Sequence, residues 1–158
     1  MAGQEDRVTK ACLVFHTTKK ACNVFTREVA IKVGVDLPVA PGAVADEILD
    51  AMRLHWRRLS RQEAILAAAN GRFIVAGLKS GDFKPRKDGK KTADGHVCVV
   101  VSGSQGGYPR VFSTNQDDNP SAYGKSCGDH PLNGFVFSHG DAPNVEYFSK
   151  PAGASGNW

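Results

Sequence analysis

His96-Val-Cys-Val-Val-Val-Ser102 is almost wholly apolar, and Tyr108-Pro-Arg-Val-Phe-Ser-Thr114 follows it across a glycine-rich turn, Ser102-Gly-Ser-Gln-Gly-Gly107. Two β-rich runs separated by such a turn read as a hairpin. A run without polar alternation reads as a strand covered on both faces. Upstream, Phe73-Ile-Val-Ala-Gly-Leu78 reads as a further buried strand; downstream, Phe135-Val-Phe-Ser138 and Val145-Glu-Tyr-Phe-Ser149 read as two more. Before Phe73 the period changes. Cys22, Phe25, Val29, Ala30 and Val33 recur in steps of three and four, one helical face, with Thr17 and Thr18 before it and Gly34 after it as caps. A second helix is expected from about Ala43 to Leu59, with Val44, Ile48, Met52, His55 and Trp56 on one face. Ser60-Arg-Gln-Glu63 is a capping box that opens a third, which stops at Asn70-Gly71. Helices first and an antiparallel meander after them predict an α+β fold, with N-terminal helices packed on the sheet.

The length of 158 residues fits one domain over 1–158 that buries a core without disulfides. Residues 1–11 read as a solvated start. Met1-Ala-Gly-Gln-Glu-Asp-Arg7 holds no apolar segment, so no general secretory signal is expected there, and no run of 18 apolar residues predicts a membrane span. The formal net charge of +4 is modest: it suits an anionic partner without calling for nucleic acid. The loop from Lys79 to Lys91 holds six Lys and Arg residues around Phe83, a surface that could steer toward an anionic polymer or simply be solvated.

The four cysteines, Cys12, Cys22, Cys98 and Cys127, contain no CxxC pair, so neither a zinc ribbon nor a dense disulfide scaffold is indicated. Cys12 and Cys127 could pair in an oxidising compartment. Cys127, His130, His139 and Asp141 have irregular spacings, and no metal or other cofactor is expected. Cys98 shares the strand face of His96 and reads as core.

Cys22 opens the first periodic helix, with Lys19 and Lys20 before it and Arg27 after it. A helix N-terminus and nearby cations favour thiolate, the nucleophile of acyl transfer. His96 opens a strand behind the small Gly95, where an imidazole can serve as general base. A cysteine starting a helix and a histidine starting a strand form the arrangement of a papain-like site. A third group should orient the imidazole. The hairpin places Ser113, Thr114 and Asn115 opposite His96, and a one-residue change of register exchanges them.

These residues carry a resemblance. Lys20-Ala-Cys-Asn-Val-Phe-Thr-Arg-Glu-Val-Ala-Ile-Lys-Val-Gly-Val35 is similar to the nucleophile helix of NlpC-type cell-wall peptidases, with Ala21-Cys22-Asn23-Val24-Phe25 where such enzymes commonly read Asp-Cys-Ser-Gly-Phe. Gly71-Arg-Phe-Ile-Val-Ala-Gly-Leu-Lys79, Gly95-His-Val-Cys-Val-Val-Val-Ser-Gly103 and Tyr108-Pro109 resemble the type VI secretion amidase effectors of family 1. The resemblance spans about residues 15–150. It implies a papain-like, NlpC-type fold and a Cys22–His96 pair. It also implies hydrolysis of the D-glutamyl–diaminopimelate bond in peptidoglycan stem peptides, injection by secretion machinery into the periplasm of target bacteria, and a periplasmic immunity protein as inhibitor. A phage or wall-remodelling cysteine hydrolase, and an inactive wall-binding papain-like module, are the alternatives.

Overall fold

The computed structural model describes residues 2–15, 20–85, 95–114 and 128–150. Among the described residues, four α-helices, α1 (Ala2–Phe15), α2 (Cys22–Lys32), α3 (Ala45–His55) and α4 (Arg61–Ala69), accompany six strands. The strands are β1 (Arg57–Leu59), β2 (Ile74–Leu78), β3 (His96–Gln105), β4 (Tyr108–Ser113), β5 (Gly128–Pro131) and β6 (Glu146–Ser149). All pairings are antiparallel, in the order β1-β6-β2-β3-β4-β5. The class is α+β, as the helix-then-strand order predicts.

The sheet lies between two cores, which is why β3 has no polar alternation. Val97, Val99 and Val101 face one core, with Phe25, Val29 and Ala30 of α2, Ile48, Leu49 and Met52 of α3, and Val8, Ala11 and Cys12 of α1. Cys98 and Val100 face the other, with Ala64 and Ala68 of α4 and with Leu132, Val136 and Phe137. Residues two apart on a strand share a face, so each core receives alternate residues of one valine-rich run. Close approach of α3 depends on Gly77: a Cβ there would lie 2.7 Å from Leu49 Cδ2 and 2.8 Å from the His96 carbonyl oxygen.

Four expectations need correction. The start of the chain is α1, whose Val8, Ala11 and Cys12 form a buried stripe at helical spacing among charged neighbours. The second helix ends at His55, because Trp56 turns to extended backbone and Arg57–Leu59 pairs with β6. Phe135-Val-Phe-Ser138 forms no strand. Val136 and Phe137 are buried from a tight turn, with both N–H groups donating to the Leu132 carbonyl, and Asn133 and Phe137 form an isolated bridge. The sheet is not a simple meander: β6 inserts between β1 and β2, while β5 pairs with β4 at the far edge. No helix among the described residues is long and apolar enough to cross a membrane.

Candidate functional site

His96 is the first residue of β3 and stands opposite Leu78 of β2. Its side chain therefore shares the face of Cys98 and Leu78, and the residue is 6% exposed. The imidazole meets the Phe137 ring edge-on at 5.6 Å between centroids, and its Nε2 is hydrogen-bonded to Ser113 Oγ at 2.9 Å. Burial alone pushes the imidazole down from its ordinary value of 6.5 to about 4, so the ring is neutral at physiological pH.

The register explains why Ser113 is the partner. Val99 stands opposite Phe112 and Val100 opposite Val111, so Ser113 falls opposite Cys98 and shares its face with His96. The turn lies at Gly106-Gly107, and an irregularity between Val101 and Ser104 offsets the simple hairpin count. Thr114, just past β4, is fully buried, its hydroxyl without a hydrogen-bond partner among the described residues. Asn115 lies outside the described residues.

Cys22 is the first residue of α2 and is partly buried against the α1–α3 core. The N-cap is Ala21, which offers no side-chain cap to the first N–H groups of the helix. The cations expected to act on the thiol have other engagements. Lys20 Nζ pairs with Glu28 Oε1 at 2.7 Å, and Arg27 Nη2 donates to the carbonyls of Val39 and Ala40, each at 2.8 Å. Lys19, Thr17 and Thr18 lie outside the described residues. The start of α2, with no side-chain cap from Ala21, is a source of positive potential beside Cys22.

The structure thus brings His96 and Ser113 together, while Cys22 packs at the margin of the α1–α3 core. The helix α2 covers Val97 and Val99, and the His96 ring meets Phe137. Cys22 and His96 lie at one end of the molecule. Asn23 Nδ2 donates to the Ala43 carbonyl at 3.0 Å, just before α3 begins. In the first turn of α3, Asp46 Oδ1 accepts from Ser80 N at 2.9 Å and occupies the space beside Gly95.

The sequence reading missed the wall of this site. Phe83 is buried and stacks on Phe137 at 6.0 Å between centroids, so it belongs to the core and not to a cationic surface. Lys84 N, next in the chain, donates to Asp141 Oδ1 at 2.8 Å. The signal was a lone aromatic in a charged stretch, which only tertiary packing distinguishes from an exposed one. Residues 86–91, the rest of that loop, lie outside the described residues. His139 and Asp141 serve as loop ties: His139 Nδ1 bonds Asn133 Oδ1 at 2.8 Å, and Asp141 Oδ2 accepts from Ser138 Oγ at 2.8 Å. Among the described residues no group of three or more His, Cys, Asp or Glu side chains could hold a metal ion. Cys12 is a buried thiol whose ionisation is pushed up by burial, then by Asp129; its expected partner Cys127 lies outside the described residues.

Comparison of the chain with protein-family models gives no match, and comparison with curated proteins gives none either.

Proposed function

We propose that this chain is a papain-like, NlpC-type cysteine amidase that hydrolyses the D-glutamyl–diaminopimelate bond of peptidoglycan stem peptides. In this reading it is an antibacterial effector injected into the periplasm of target bacteria, where an immunity protein would neutralise it. The observation that carries the reading is the buried 2.9 Å bond between His96 Nε2 and Ser113 Oγ. A neutral imidazole anchored through Nε2 presents Nδ1 as its basic nitrogen, the disposition a general base needs. The uncapped start of α2 supports the same reading, because its N–H groups suit an oxyanion.

The mechanism follows from these groups. His96 Nδ1 takes the Cys22 proton while Nε2–H donates to Ser113 Oγ. The Cys22 sulfur attacks the scissile carbonyl carbon, and the oxyanion forms against the α2 N–H groups. The imidazolium returns its proton to the leaving amine as the C–N bond breaks. Water, deprotonated by the same imidazole, then cleaves the thioester and releases the acid. The reading requires the Cys22 thiol and the His96 imidazole to meet at the start of β3.

The packing of α2 over Val97 and Val99, with the His96 ring against Phe137, favours a second reading, a module that holds wall peptides without cutting them. Mass spectrometry of muropeptides separates the two. Digestion of purified peptidoglycan should yield a free D-glutamyl carboxyl and a free diaminopimelate amine, and both products should vanish with Cys22→Ala and with His96→Ala. Unchanged muropeptides with the wild-type chain would establish the binding reading and overturn the enzymatic one.

A further inference from the structure

A second concavity lies away from Cys22, at the edge of the sheet where β1 passes into α4. It encloses about 380 Å³, and its walls include Arg58, Ser60, Arg61, Pro143, Val145 and Tyr147. Tyr147 stands opposite Leu59 in the register of β6 with β1. It is 3% exposed, yet its hydroxyl has no hydrogen-bond partner among the described residues. A buried phenol in that state has a donor to give and a desolvation cost to recover.

The chemistry around the phenol has one sign. Arg61 is the first residue of α4, with its guanidinium 4.0 Å from the Tyr108 ring centroid. No carboxylate among the described residues pairs with it. Arg58 gives one N–H to Glu146 at 2.8 Å, and its side chain is otherwise largely exposed. At the start of α4 the Ser60 hydroxyl takes the N–H of Glu63 at 3.1 Å. That cap leaves the N–H groups of Arg61 and Gln62 to whatever occupies the helix start. Tyr147 and Arg61 line the pocket together at the start of α4, and Pro143 and Val145 supply apolar wall.

We propose that this pocket binds a carboxylate carried on a short aliphatic stem. The carboxylate accepts from Tyr147 and Arg61 at the α4 N-terminus, where charge-assisted bonds are strongest. Its methylenes lie against Pro143 and Val145, which a bare inorganic anion would leave uncovered. The site does not depend on the nucleophile assigned to Cys22.

Titration of the ¹⁵N-labelled full chain with glutarate tests this, with inorganic phosphate and sodium chloride at matched ionic strength as the other arms. Glutarate should shift the Arg61 and Gln62 amides saturably. Arg61→Gln, which keeps a good helix former, should weaken binding by about tenfold or more, and Tyr147→Phe severalfold. Cys22→Ser should leave it unchanged. Saturation by phosphate but not glutarate would overturn the carboxylate assignment. Glutarate shifts that neither Arg61→Gln nor Tyr147→Phe weakens would overturn the site, as would the absence of saturable shifts.

Discussion

His96 Nε2 lies 2.9 Å from Ser113 Oγ, tying the first residue of β3 to the last of β4 on one face of the sheet. Ser113→Ala removes the anchor and leaves a ring nitrogen buried. Activity on peptidoglycan should fall roughly 10-fold in kcat, a fraction of the roughly 10²–10⁴ that a general base contributes. The pH profile should change with it, and Ser113→Thr should recover much of the loss. Wild-type kcat and pH profile in Ser113→Ala would remove Ser113 from the mechanism.

The same imidazole makes stability depend on pH. Its value is about 4 in the fold and 6.5 when solvated, so between those limits the unfolded chain binds a proton that the folded chain refuses. The contribution of neutral His96 is fully present above about pH 6.5 and is lost as pH falls toward 4, about 3 kcal/mol across that window. Urea denaturation of wild type and His96→Gln should show the wild type losing more stability over this range. Parallel pH dependences in the two proteins would contradict the buried neutral ring.

Gly95→Ala places a methyl group against the Asp46 carboxylate and 2.9 Å from the Leu78 carbonyl oxygen. Neither backbone nor the α3 start can yield without moving the strand that presents His96. A loss of about 1–3 kcal/mol is expected, read as a lower urea midpoint at unchanged m-value.

Glu146 is nearly buried and receives two arginines of unequal weight. Arg53 donates from Nε at 3.0 Å and from Nη2 at 2.5 Å, and also reaches Asp82 at 3.2 Å. Arg58 contributes one bond from a side chain 62% exposed. Arg53→Met should destabilise by about 1–3 kcal/mol, with the partial exposure of Arg53 already discounted. Arg58→Met should cost about 1 kcal/mol or less. Thermal melts of the two variants check the order.

Thiol labelling should be selective. Cys12 and Cys98 are fully buried and burial pushes both ionisations up, whereas Cys22 is partly exposed at a helix start. Of these three, iodoacetamide should modify Cys22 in the native protein and the others only after denaturation. Native labelling of Cys98 at a matching rate would refute the packing of β3.

Local patterns in the chain were sufficient for α2, α4 and the β3–β4 hairpin. The Ser60–Glu63 capping box forms as read, with Ser60 Oγ accepting from Glu63 N and the Glu63 carboxylate accepting from Ser60 N. The apolar run after His96 had to be covered on both sides, and it is. What could not be read locally is which face each side chain takes relative to distant elements. Ser113, Thr114 and Asn115 are equally polar, and a bulge selects among them. Phe83 and Phe137 are 54 positions apart, so their stacking has no short-range signature. The insertion of β6 between β1 and β2 escaped for the same reason.

That insertion has a consequence for how the chain acquires its shape. Until residues 146–149 are available, β1 and β2 each present an unpaired edge to the surroundings, and Arg53 has no Glu146 to meet across 93 positions. A growing chain therefore carries a gap in the middle of its sheet until its late residues emerge. Such long-range closure slows folding and keeps sticky edges open meanwhile. The finished protein snaps shut around a late-made keystone, so nascent chains stopped before residue 146 should be the aggregation-prone ones.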